Sequence, residues 1–235
     1  MFKSVFEWES DFHALKNLYS VIFLLKRERL FPDHLIMKLY GSLTSPYVRR
    51  IRFIALELGV PFSIIDTMTE EGQAELRKKN PLWKVPYAEL EATKIWDSHA
   101  ITDYLLETSG PGPFRLTSQT DRWQESNLIY AMDGALDSGI NLFYLGKDGV
   151  TSETSVYIKK QKDRISSVIL YLKAQLKEDF FFPGPKLGRA EINFFTVIDW
   201  LRFREVYPVA EDPILTGFLA KHSQNPNWEK TAPPK

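Results

Sequence analysis

The chain has 235 residues, 44% of them apolar, which suffices for two ordinary domains or one large one with a core that needs no staple. It contains no cysteine, which excludes disulfides, zinc-thiolate sites, a dithiol redox pair and a cysteine nucleophile, so any thiol chemistry must take its sulfur from a ligand. Its 30 basic residues balance 30 acidic ones, leaving no global field for nucleic acid or an anionic membrane, and no apolar run approaches the roughly 18 residues of a membrane span.

In residues 1–36, Trp8, Phe12, Leu15, Tyr19, Ile22 and Leu25 fall on one side of an amphipathic helix that Pro32 ends. Glu7, Glu9 and Asp11, without a basic leader or a small-residue cleavage site, argue against a signal or transit peptide. This segment is expected to be an extension; alternatively, translation begins at Met37. Met37 to Tyr40 then reads as a short buried strand stopped by Gly41. Tyr47, Ile51, Ile54 and Leu58 make the apolar stripe of a helix running to Gly59, with Ser45 as N-cap and Pro46 as its first residue. Arg49, Arg50 and Arg52 read as the solvated face of that helix. Pro61 stops it and Phe62 to Asp66 alternates as a strand, giving a β-α-β unit with parallel strands.

Thr69 to Lys79 predicts a polar helix closed by Asn80-Pro81. Two strands follow, Lys84 to Leu90 and Lys94 to Asp97, with Glu91-Ala92-Thr93 as the hairpin turn; Ser98 caps a helix bearing Ala100, Ile101, Tyr104 and Leu105. The order β-α-β-α-β-β-α is that of a thioredoxin-like α/β domain, placed at 37–114. The Gly- and Pro-rich stretch from Ser109 to Pro113 is a linker. Beyond it the pattern is wholly helical, an all-α bundle over 119–235. Its helices are marked by Ile129, Met132, Leu136, Ile140 and Phe143, by Ile165, Leu172 and Leu176, and by the spans Arg189 to Arg204 and Pro213 to His222. The tail Thr231-Ala232-Pro233-Pro234 reads as an extended end.

Ser45 is the first candidate for chemistry. A helix N-terminus favours an anion through its dipole and free N–H groups, and a thiolate is one, although a Ser-Pro pair taken alone is most often only a cap. His13, His34, His99 and His222 show no metal-ligand spacing, so no metal is expected and all four read as structural or exposed. The aromatics Trp123, Tyr130, Phe143, Tyr144, Trp200 and Phe203 read as core, with one or two lining a pocket between the domains.

Three landmarks stand in order: Ser45-Pro46-Tyr47-Val48-Arg49, Asn80-Pro81-Leu82-Trp83-Lys84-Val85-Pro86 and Asp97-Ser98-His99-Ala100-Ile101. With the helical half that follows, the chain from Met37 onward resembles the glutathione S-transferases. Ala131 to Asp137 and Trp228 to Pro234 are similar to bacterial members. The resemblance implies that Ser45 meets the glutathione sulfur, with Thr44 as the alternative hydroxyl. A free thiol has a pKa near 8.5, and lowering it by two units takes about 3 kcal/mol. It implies that Pro86 is cis and that Val85 pairs its backbone with the cysteinyl part of glutathione, like an added strand. It implies that Asp97 and Ser98 hold the γ-glutamyl end and that Lys84 reaches the glycyl carboxylate. Two departures are visible. Trp83 stands where many members have Gly, and Gly188 replaces the Ser or Thr cap before Arg189-Ala190-Glu191, keeping half of a capping box.

The implied protein is a cytoplasmic homodimer that attacks a mostly apolar electrophile with the thiolate of glutathione. Rival readings are a reductase or peroxidase, which without cysteine needs a second glutathione, and a non-catalytic glutathione-binding protein.

Overall fold

The computed structural model describes residues 36–234; the helix expected over 1–36 lies outside the described residues but for Ile36. Strands β1 (Met37–Gly41), β2 (Phe62–Asp66), β3 (Tyr87–Leu90) and β4 (Thr93–Trp96) form one sheet in the order β2-β1-β3-β4. β1 pairs in parallel with β2 and antiparallel with β3, and β3 is antiparallel to β4. Around them lie α1 (Pro46–Leu58), α2 (Glu70–Lys79) and α3 (Ser98–Ser109). This is the thioredoxin-like arrangement that the element order predicts. A helical region follows: α4 (Arg122–Lys147), α5 (Val156–Gln175), α6 (Arg189–Phe203), α7 (Pro213–His222) and α8 (Pro226–Lys230).

Local chemistry sets the boundaries. Ser45 Oγ accepts the Val48 N–H at 3.4 Å, Pro46 opens α1, and Gly59 closes it at φ 67°, a left-handed position that suits glycine. Gly41 is required for a different reason: a Cβ there would come within 2.3 Å of Val48 Cγ2, so a side chain would push α1 off the end of β1. Glu191 Oε2 accepts the Gly188 N–H at 2.7 Å, the half of the capping box that a glycine leaves possible.

Several boundaries differ from expectation. β3 begins at Tyr87 rather than Lys84, because residues 80–86 form a loop ending in the cis bond Val85-Pro86. Thr93 belongs to β4, not to the hairpin turn, since Glu91 at φ 52° reverses the chain within two residues. Ser98 is the first residue of α3 and not its cap; Asp97 takes that place and accepts the His99 N–H at 2.7 Å.

The largest correction concerns Arg49, Arg50 and Arg52, which are not solvated but 6%, 1% and 9% exposed. α1 is enclosed by the sheet on one side and the helical region on the other, and one hydrophobic cluster runs through both. Each guanidinium therefore needs internal partners. Arg49 pairs with Asp199 of α6 and donates to the Trp228 carbonyl at 3.2 Å. Arg52 donates to the carbonyls of Thr231 (3.0 Å) and Lys230 (3.1 Å). Trp228 lies between Phe53 of α1 and Phe195 of α6, with ring centroids 3.6 and 3.9 Å away and nearly parallel planes. Thr231 is accordingly buried and ends α8, instead of opening an extended tail.

Candidate functional site

The strand register brings the three sequence landmarks to one end of the sheet. Tyr40 faces Tyr87 and Tyr87 faces Trp96, so the chain beyond Gly41, the chain before Tyr87 and the chain after Trp96 emerge side by side. The Ser42 to Ser45 loop, Val85-Pro86 and Asp97-Ser98 are thus neighbours. α1 and α3 both begin here.

The loop after β1 holds three hydroxyls in different states. Ser42 Oγ and Thr44 Oγ1 share a hydrogen bond of 2.9 Å, and Ser42 Oγ also accepts the Thr44 N–H at 3.2 Å. Ser45 Oγ only accepts, from Val48, so its own proton is uncommitted. Tyr47 donates its phenol proton to Asp137 Oδ1 at 2.6 Å. Burial first, and then that carboxylate, push the Tyr47 phenol far above its ordinary value, which keeps it protonated and unable to act as a base near neutral pH. Val85 N–H and C=O have no backbone partner among the described residues.

On the other side of the gap, Asp97 is exposed at φ 75° while Ser98 beside it is buried. Arg50 Nη1 donates to Ser98 Oγ at 3.0 Å, which leaves the Ser98 proton free to point elsewhere. Arg50 Nη2 donates to Asp133 Oδ1 at 3.2 Å, and His99 Nε2 donates to the other oxygen of the same carboxylate. Sequence reasoning read Arg50 as solvated and His99 as structural or exposed, and gave Asp133 no role. Arg50 sits inside a run that reads as solvated, and Asp133 lies 83 positions away from it, so no spacing signals the pair. Lys84 is exposed, and its carbonyl is held by Asn80 Nδ2 at 2.8 Å. Trp83 adopts φ 54°, where glycine is at ease, and lies exposed under the Arg77 guanidinium, 5.2 Å from the ring centroid.

Burial alone would raise the Asp133 carboxyl, but the His99 hydrogen bond and the Arg50 charge outweigh it and hold it below the usual carboxylate value. A carboxyl depressed in the folded state adds stability above its unfolded value, near 3.8, and that stability is lost as pH falls through the lower folded value. Asp133→Asn should therefore melt below the parent at pH 7, and the gap should narrow steadily in melts taken below about pH 4. A gap constant down to pH 2.5 would contradict the assignment.

A cleft of about 790 Å³ opens between α3 and α4, lined by Asp97, His99, Asp103, Arg122, Tyr130 and Arg189 among others. It adjoins Asp97 and not Ser45, so it bears on the acidic end of the site only. Trp123, Tyr130 and Tyr144, expected in the core, are 70%, 68% and 60% exposed on α4; Phe143 is half-buried and Trp200 is buried as expected. Their spacing matches a buried face, but nothing among the described residues covers that side of α4. Among the described residues no three His, Asp or Glu side chains gather as metal ligands, and no helix is long and apolar enough to cross a membrane.

Residues 39–113 match the family model described as glutathione S-transferase, N-terminal domain. An uncharacterized GST-like protein of Escherichia coli, YibF, is 27% identical over 203 residues, covering 85% of this chain and all of its own. Over residues 39–113 the chain matches the N-terminal domain of the glutathione S-transferases, and it is similar to members of that family over most of its length. A probable glutathione S-transferase of Nicotiana tabacum is 27% identical over 197 residues, spanning 83% of this chain and 81% of the relative. Outside the family model's span, the helical region also has its counterpart in a solved structure. A glutathione S-transferase from Methylobacillus flagellatus KT, with GSH bound, superposes with a TM-score of 0.72 at 21% identity over 84% of this chain and 100% of that one.

Proposed function

We propose that this chain binds glutathione across the three adjoining loops and activates its thiolate for attack on an electrophilic, mostly apolar compound. The observation that carries the reading is Ser45. It lies at the start of α1, its oxygen is occupied by a backbone N–H, and its proton is free to donate to a sulfur. Thr44 is less suited, because its hydroxyl already exchanges a hydrogen bond with Ser42. Val85 offers an unpaired N–H and C=O to the cysteinyl unit, Asp97 a carboxylate to the γ-glutamyl ammonium, and Ser98 with the α3 N-terminus two donors to its carboxylate. Lys84, exposed beside them, reaches the glycyl carboxylate. Bound GSH in the Methylobacillus flagellatus protein supports the choice of ligand.

Asp97 has two duties, since one of its oxygens caps α3. Asp97→Asn keeps a capping oxygen and a residue that tolerates positive φ, while removing the charge. Calorimetric titration should show glutathione binding weakened by about 1.5–3 kcal/mol, the worth of a hydrogen bond to a charged group, in a protein of nearly unchanged melting temperature. Unaltered affinity would remove Asp97 from the site. Two copies are expected to associate, with the glutathione-binding region of one meeting the helical region of the other. Sedimentation at micromolar concentration is expected to give a dimer, and a monomer would refute that reading.

A further inference from the structure

The sheet carries a second, small core apart from the main one: Tyr40 of β1, Tyr87 of β3 and Leu76 of α2, with Ile65 and Val85 packed at its edge. The two tyrosine rings meet edge-on, 5.1 Å between centroids, and both residues are fully buried, so their hydroxyls need partners. Tyr87 donates to Glu89 Oε1 at 3.1 Å, and Tyr40 donates to Glu75 Oε1 at 2.7 Å. Lys79 Nζ donates to the Tyr40 oxygen at 2.6 Å and pairs with Glu75 and Glu89, each at 2.8 Å. The three protons of one ammonium thus have three acceptors, one each from β1, α2 and β3.

Little else holds α2 to the sheet. Gly72 and Leu76 are the residues it buries. Its first turn is tied to its own approach, where Thr69 Oγ1 donates to the Asp66 carbonyl at 3.0 Å and accepts the Gly72 N–H at 3.1 Å. Its last residue is Lys79, and the next, Asn80, organises the loop that follows. The Asn80 amide donates to the Lys84 carbonyl at 2.8 Å, its side-chain oxygen accepts the Leu82 N–H at 3.0 Å, and its backbone carbonyl accepts the Trp83 N–H at 3.1 Å. Where Asn80 stands therefore decides where Val85 stands.

We propose that Lys79 is a positioning residue for glutathione: by pinning the end of α2 to β1 and β3 it sets the 80–86 loop, whose Val85 N–H and C=O receive the cysteinyl unit. The assignment rests on the glutathione-binding reading. Without the ammonium, Glu75 and Glu89 face each other as like charges, and α2 turns about its Thr69 end, drawing Asn80 and the loop with it. Ser45 and Asp97 stand at the starts of α1 and α3 and keep their places. Affinity is lost, and activation of the bound thiol is not.

The test is made on the full chain. Calorimetry should show glutathione bound about ten-fold more weakly by Lys79→Met, because binding must then order the loop, and within about three-fold of the parent by Lys79→Arg, which keeps the charge. Ultraviolet titration at saturating glutathione should give Lys79→Met and the parent the same thiol pKa. Amide exchange should quicken in residues 80–86 and stay at the parent rate in α1 and α4. Unchanged affinity in Lys79→Met, a thiol pKa that rises as affinity falls, or exchange quickened throughout would each overturn the role. Tyr40→Phe keeps the buried ring and removes one of the three acceptors, so it should weaken binding about three-fold; unchanged affinity there overturns the role even where Lys79→Met fails to fold. A parent chain that binds no glutathione overturns the underlying reading and the role together. A parent that binds it, with Lys79→Met binding equally well, overturns the role alone.

Discussion

Ser45→Ala is expected to raise the pKa of bound glutathione by one to two units, roughly, and to lower turnover at pH 7 by about 10- to 100-fold, in step with the lost thiolate fraction. The reason is the free proton on Ser45: its oxygen is engaged by Val48, but no described acceptor takes its hydrogen, so an arriving sulfur can. The thiolate absorbs in the ultraviolet, and titrating the complex reads its pKa directly. The substitution also removes a cap worth about 1 kcal/mol, so a small drop in melting temperature accompanies the effect and does not explain it. Thr44→Ala is the control and should leave the pKa within a few tenths. Were the shift to appear in Thr44→Ala instead, the role would pass to Thr44. No shift in either would leave the helix N-terminus and backbone as the activators.

The largest stability effect should come from a residue far from the thiol. Trp228→Ala removes a 1% exposed indole held between Phe53 and Phe195, and large aromatic deletions in cores cost about 3–5 kcal/mol. For a domain of this size that corresponds to a melting temperature roughly 10 °C lower. The loss is not confined to packing, because the Trp228 carbonyl accepts from Arg49, and a loosened α8 leaves a buried guanidinium short of a partner. Trp228→Phe keeps the stack and should lose less than half as much in urea unfolding. A loss under 1 kcal/mol in Trp228→Ala would show that α8 is not part of the cooperative unit.

The architecture was legible because its signals are local. Ser45-Pro46 and Gly59 mark the ends of α1, the alternation of Phe62 to Asp66 marks β2, and turn residues mark the passage to the helical region. The loops of the proposed site can be located for the same reason, since each sits at the end of an element. What sequence could not reveal was set by distance. Arg49, Arg50 and Arg52 look like one charged face until Asp199, Asp133 and the Thr231 carbonyl, 150, 83 and 179 positions away, are brought to them. The exposed Tyr130 and Tyr144 show the reverse failure: aromatic residues at helical spacing need a covering neighbour, and spacing alone does not say whether one exists. Asp97 and Ser98 are adjacent polar residues, either of which could cap α3, and the His99 N–H donated to Asp97 decides between them.

The clamp of α8 on α1 sets an order on folding during synthesis. Arg49 and Arg52 reach carbonyls 179 positions further along the chain, so α1 cannot satisfy these two charges until those residues have been made. At about 5–20 residues per second the ribosome needs roughly 9–36 s to get there. Through that interval the nascent chain shows Phe53 without its indole and Arg49 without its carbonyl, and a holding chaperone would find its binding surface there. In this chain α1 is completed only by a helix that emerges long after it.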